Sequence, residues 1–193
     1  MFLDRRRTVR NLDSRSQPVG DVQCAREHGW FLEFEFKGVE LAASSPVSEI
    51  LEALVNTGLP SSARQNVHTI VNELYINALD YGVLALADTD KSDENSFYDF
   101  DNKRQSRLRQ LLSQEQSALG WIRVECMLDT SDRPSLQIIV ADSGSGFQKS
   151  FEAHSRAQSL EAFNGRGLTL VKELASDVHL QPRSNQIKVL YKC

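Results

Sequence analysis

Three polar residues share one face of a predicted helix at a spacing that can build a binding pocket. Glu73, Asn77 and Asp80 recur at i, i+4 and i+7 on a helix predicted to run to about residue 80. A stripe of apolar residues that would enter the core lies beside them: Val67, Ile70, Val71, Leu74 and Ala78. Two carboxylates and an amide on the flank of a buried stripe can face a pocket. A solvent-facing polar flank is the alternative, and the helix considered alone favours it.

A glycine-rich loop follows one of the predicted strands directly. The strand over Leu136–Ala141 continues into Asp142-Ser-Gly-Ser-Gly-Phe147. Two glycines two residues apart after a buried strand let the backbone approach a ligand closely. Asp142, at the strand end, is an acceptor that can read the edge of a base. An ordinary Asp-Gly turn is the alternative.

A second glycine-rich turn, Asn164-Gly-Arg-Gly167, opens a short helix predicted over Gly167–Ala175. Such a turn offers free N–H groups and the positive end of a helix dipole to phosphate oxygens. A helix entry without a ligand is the alternative. Four of the ten glycines of the chain lie in these two loops, however, and that concentration favours a ligand over two unrelated turns.

In order and content the three segments resemble the GHKL ATPase superfamily. The N-box of that superfamily is similar to Glu73-Leu-Tyr-Ile-Asn77-Ala, its first glycine box to Asp142-Ser-Gly144-Ser-Gly146-Phe147, and its second to Gly165-Arg166-Gly167-Leu-Thr-Leu-Val171. The resemblance covers about residues 30–193 except 86–119. It implies a Bergerat ATP-binding fold, with a mixed, mostly antiparallel sheet and helices on one face.

The resemblance also implies ligands and roles. ATP and Mg²⁺ would bind, with Asn77 holding the metal and Glu73 acting as general base toward a serine hydroxyl or water. Asp142 would accept a hydrogen bond from the adenine amino group. The other nucleotide contacts that it implies are Asp80, Gly144, Gly146, Phe147, Gly165, Arg166, Gly167, Leu168 and Thr169. Residues 148–164 would form a mobile lid.

The chain departs from the family pattern in two places. The late Gly-Thr box should fall near Arg183–Gln186, but the chain reads Arg-Ser-Asn-Gln, so Ser184 or Asn185 would have to substitute. Tyr81 stands where the family often has histidine, and the role of that histidine is not carried over.

Within the superfamily, Asn77-Ala-Leu-Asp-Tyr-Gly82 is most similar to the anti-sigma-factor serine kinases. This likeness implies a cytoplasmic protein-serine kinase that phosphorylates an anti-sigma-factor antagonist of the STAS type. A sigma factor, fused receiver and phosphatase domains, and a second copy of the chain are further expected partners, whereas nucleic acid and membrane are not. The alternative is a non-catalytic module that binds ATP or a partner and has lost phosphotransfer.

Hydrophobic periodicity predicts the elements that carry these motifs. Apolar residues alternate over Trp30–Leu41, Trp121–Leu128 and Gln186–Tyr191, which indicates half-buried strands. A helix over about 47–57, opened by Ser44-Ser-Pro46 and ended by Gly58-Leu-Pro60, precedes the polar-striped helix, for which Ser61 or Ser62 is the expected cap. Helices followed by antiparallel hairpins predict a two-layer α/β sandwich.

The remaining chain divides into an arm and an insertion. Residues 1–25 are predicted to be a linker or N-terminal arm that is rich in arginine, and residues 26–193 the ATP-binding domain. The insertion at 86–119 reads as an acidic loop followed by an amphipathic helix whose apolar face carries Leu108, Leu111, Leu112 and Leu119. It is either a decoration packed on the domain or an element that binds a partner.

Composition bounds the class of protein. The 193 residues carry a net charge of −4, which disfavours a generally basic nucleic-acid binder. Cys24, Cys126 and Cys193 are widely spaced, so neither a disulfide framework nor a zinc site is expected.

Overall fold

The structure, a computed structural model, describes residues 8–11, 29–42, 46–86, 94–113, 120–129, 133–144, 166–181 and 185–193. Its helices are α1 (Pro46–Asn56), α2 (Arg64–Asn77), α3 (Glu94–Ser113) and α4 (Arg166–Leu174). Its strands are β1 (Thr8–Asn11), β2 (Trp30–Lys37), β3 (Trp121–Asp129), β4 (Ser135–Asp142), β5 (Asp177–Gln181) and β6 (Gln186–Lys192). No helix among these residues is long and apolar enough to cross a membrane.

The strands form one six-stranded sheet in the order β1-β2-β3-β4-β6-β5. Each of its five strand pairs is antiparallel, where a mixed, mostly antiparallel sheet was expected. The register pairs Ile122 of β3 with Asp142 of β4 and Ala141 of β4 with Gln186 of β6. The C-terminal end of β4 therefore lies beside the N-terminal end of β6 at one end of the sheet.

The core lies between one face of the sheet and the helices. Alternate residues of β2, β3, β4 and β6 are buried there, in one cluster with the inward residues of α1, α2 and α4. The opposite face is more exposed and carries ion pairs such as Arg123 with Glu35, at 2.8 Å. The predicted two-layer α/β sandwich is thus confirmed, and α2 is the helix that presents the polar stripe.

Several sequence predictions need correction. The strand from Trp30 ends at Lys37 rather than Leu41, because Gly38 turns with φ +52° into a 3-10 helix, Gly38–Ala42. The serine cap of the second helix is wrong. Ser61–Ala63 forms a 3-10 turn, and the N-cap of α2 is Ala63, without a side-chain cap hydrogen bond. Strand β5 was not predicted at all.

The part of the arm that the structure describes, Thr8–Asn11, pairs with β2 as an edge strand that was not predicted. Within the insertion, the predicted helix is confirmed as α3. Phe100 and Leu111 of α3 are buried, but Leu112 is 47% exposed, so it does not share the packed face. Leu119 lies outside the described residues, as do Ser44 and Ser45.

Candidate functional site

The polar stripe of α2 ends in an unusual turn. Glu73 and Asn77 are half-buried and lie one helical turn apart on the same face. After Asn77 the helix widens into a π-helical turn, Ala78–Val83, hereafter the π-turn. Turns of this kind in helices are frequent at functional sites.

Asp80 of the stripe points toward the insertion. It is 4% exposed, and its Oδ1 lies 2.6 Å from Nε of Arg104 on α3. A buried carboxylate needs such a partner, because removing it from water without one is costly. The predicted contact between Asp80 and the nucleotide stays a prediction, since the carboxylate oxygen described here is occupied by a protein cation.

Glu73 lies against the start of α4. A side chain at Gly167 would overlap the Glu73 carboxylate, because Glu73 Oε2 occupies the space where a Cβ would stand. Helix α4 begins at Arg166, so this carboxylate is placed beside the N-terminal N–H groups of the second glycine box. The first and last motifs of the sequence therefore meet in space.

Asp142 ends β4 in a buried position and is 9% exposed. Its Oδ1 accepts a hydrogen bond from the Gly144 amide at 2.8 Å. Burial raises the pKa of Asp142 to about 6, and the Gly144 hydrogen bond offsets only part of that rise. A buried carboxylate with a raised pKa at the end of a strand fits a group that accepts a hydrogen bond from a ligand.

A tight glycine contact joins the π-turn to this loop. A Cβ at Gly82 would overlap the Asp142 carboxylate, and a Cβ at Gly144 would stand 2.6 Å from the Gly82 carbonyl oxygen. Only glycine at both positions lets the two backbones approach this closely. Gly82 belongs to the N-box ending in the sequence but was not predicted as a site residue, since its role depends on a contact 60 residues away along the chain.

Asn185, which directly precedes β6, forms hydrogen bonds with the loop that begins at Asp142. Its amide nitrogen donates to the carbonyl oxygens of Asp142, at 3.3 Å, and Gly144. Its own carbonyl accepts from the Asp142 amide at 3.2 Å. Asn185 falls where the family pattern has its Gly-Thr box, so the substitute that the sequence suggested lies at the site.

The remaining predicted contacts are only partly described. Leu168 is half-buried against the core and Thr169 is exposed. Of Arg166 only the backbone, at the first position of α4, is described. Gly146, Phe147, Gly165, Ser184 and the predicted lid at 148–164 lie outside the described residues.

The residues present fit ATP and Mg²⁺. Glycines at 82, 144 and 167 let the Asp142 and Glu73 carboxylates pack directly against the backbone, and Asp142 can accept a hydrogen bond. The Asn77 amide oxygen, one turn after Glu73, is a hard ligand of the type that Mg²⁺ takes alongside phosphate oxygens and water.

The sequence model of the histidine kinase-like ATPase domain matches residues 39–191, which include all three motifs and Asn185. The chain therefore belongs to the histidine kinase-like ATPase domain family, within the GHKL superfamily, whose members are ATP-binding, kinase-like ATPases. No curated protein matched the chain.

Proposed function

We propose that this protein is a protein-serine kinase that transfers the γ-phosphoryl group of ATP to an anti-sigma-factor antagonist. The observation that carries the proposal is the position of Glu73 against Gly167. A candidate base thereby stands beside the helix N-terminus that would hold the phosphates.

Residues from α2, the β4 loop and α4 have different roles in binding the nucleotide. Asp142 accepts a hydrogen bond from the adenine amino group, at the end of the site where Gly82 and Gly144 pack against its carboxylate. Asn77 would hold Mg²⁺, and the metal would supply positive charge to the phosphates. The N–H groups at the start of α4 receive the phosphate oxygens.

Glu73 then serves the acceptor. Its carboxylate orients the serine hydroxyl and takes the proton while the serine oxygen bonds to the γ-phosphorus. The bond from that phosphorus to the bridging oxygen breaks, and ADP leaves. General bases of this kind contribute about 10²- to 10⁴-fold to rate.

One part of the proposal, the identity of the acceptor protein, rests on sequence likeness alone. The segment Asn77–Gly82 is similar to the corresponding segment of the anti-sigma-factor serine kinases. A sigma factor, fused receiver and phosphatase domains, and a homodimer belong to the same proposal. A module that binds ATP without transferring phosphate is the alternative function.

The test is phosphotransfer from γ-labelled ATP with Mg²⁺ to candidate STAS-type antagonists, with phosphoserine located by mass spectrometry. We expect one labelled serine, and no label when that serine is changed to alanine. ATP binding without a phosphoserine on any cognate antagonist would refute the kinase and favour the non-catalytic module.

A further inference from the structure

A buried ion pair links the insertion helix to the turn that shapes the nucleotide site. Asp80 comes from the π-turn and Arg104 from α3, 24 residues later, and their side chains are 5% and 27% exposed. Helix α3 is itself held to the domain by Phe100 and Leu111, which lie on the same helical face as Arg104 and are buried. The packing of these two residues therefore fixes the position of Arg104 relative to the domain.

The π-turn connects Asp80 to the residues around Asp142. The carbonyl oxygen of Asp80 accepts a hydrogen bond from the Leu86 amide at 2.9 Å, after the chain turns through Ala85 at φ +50°. Two residues beyond Asp80, Gly82 lies in direct contact with the Asp142 carboxylate. Displacement of the Asp80 side chain would therefore move the surface against which Asp142 is placed.

We infer that Arg104 and Asp80 form a positioning pair by which helix α3 sets the adenine specificity of the site. Neither residue needs to touch the nucleotide. The pair holds the π-turn, and the π-turn holds Gly82 against Asp142. This makes α3 part of the nucleotide site, so a partner that displaced α3 would change nucleotide affinity. The inference rests only on the ATP-binding part of the proposed function.

The experiment measures dissociation constants for Mg-ATP and Mg-GTP by titration calorimetry, well below the melting temperature of each variant. Arg104→Gln leaves the buried Asp80 charge without its partner, and the double variant Asp80→Asn with Arg104→Gln removes both charges. Arg109→Gln is the matched control, because Arg109 is exposed and its described hydrogen bond is to Gln105 within α3.

For Arg104→Gln we expect ATP affinity to fall about tenfold or more and the preference for ATP over GTP to shrink. The double variant should also bind ATP about tenfold more weakly and show the same reduced preference, because the link between α3 and the π-turn is absent there too. The control should change by less than about twofold. A merely structural role would leave the preference for ATP over GTP unchanged.

Two results would overturn the inference. One is an Arg104→Gln variant with the parent's ATP affinity and preference. The other is a double variant that binds ATP with the parent's affinity and preference, which would mean that the loss in Arg104→Gln came from an unpaired charge and not from lost positioning. If Arg104→Gln fails to fold, the double variant alone decides between these outcomes. Because binding is measured, absence of phosphotransfer would refute the proposed kinase and leave this inference standing.

Discussion

Replacing Asp142 with asparagine should stabilise the nucleotide-free domain while weakening ATP binding. The side chain is 9% exposed, and burial raises its pKa from 3.8 to about 6. A difference of about two pKa units corresponds to about 3 kcal/mol of penalty on the ionised form at neutral pH. Asparagine retains the oxygen that accepts from Gly144 and has no charge to desolvate. We expect the free energy of unfolding to rise by about 1–3 kcal/mol at pH 7, the upper figure being the full ionisation penalty.

The pH dependence gives this prediction its sign. Because the folded-state pKa is raised, the penalty is present in full above about pH 6 and is relieved as the pH falls toward 3.8. The stability gained by Asp142→Asn should therefore be greatest at pH 7–8. It should shrink as the pH falls from about 6 to 3.8. The assay is urea unfolding of parent and variant between pH 4 and 8, with Asp101→Asn, the same change at an exposed helical position, as control.

ATP binding should respond in the opposite direction. With its oxygen engaged by Gly144, the asparagine amide would present a donor where the adenine amino group also donates, so we expect ATP affinity to fall by at least about tenfold. In the parent, affinity should decline below about pH 6 as Asp142 takes up a proton. A variant that is no more stable at pH 7, or that binds ATP as the parent does, would refute the role given to this carboxylate.

Two further substitutions test the rest of the site. Gly167→Ala should lower phosphotransfer by about 100-fold, because its methyl group would displace the Glu73 carboxylate from its position. Exposed Lys172→Ala on α4 is the control, and equal rates for Gly167→Ala and the parent in quench-flow assays would contradict the contact. Asn185→Ala should lower stability by about 1–2 kcal/mol and ATP affinity several-fold, since it removes the amide that donates to the Gly144 carbonyl. Chemical denaturation measures the change in stability, and calorimetry measures the change in ATP affinity. An unchanged ATP affinity would show that the loop does not need the Asn185 hydrogen bonds to bind ATP.

Local periodicity was enough to predict most of the fold. Strands β3, β4 and β6 alternate apolar and polar residues because one face of each packs on the core. This alternation can be recognised from the sequence of each strand alone. Strand β5 was missed because it is a short edge strand, and β1 because its pairing depends on β2 rather than on its own four residues.

Candidate site residues could be named where motifs are contiguous, but contacts between distant residues could not be predicted. Glu73 and Asp142 could be named from short segments whose residue types suit their chemistry. Gly82 against Asp142 and Arg104 against Asp80 bring together residues far apart in the chain. Neither pair leaves a periodic or compositional signal, so only the packed structure reveals them.

The central claim is that Glu73 acts in phosphoryl transfer rather than in nucleotide binding. The direct measurement is the single-turnover rate at which Glu73→Gln transfers the γ-phosphoryl group of bound ATP, together with its dissociation constant for Mg-ATP. Exposed Glu173→Gln on α4 is the matched control. We predict a rate about 10²- to 10⁴-fold below the parent, with ATP affinity within about threefold. Transfer at the parent's rate, or a loss of affinity as large as the loss of rate, would contradict the account.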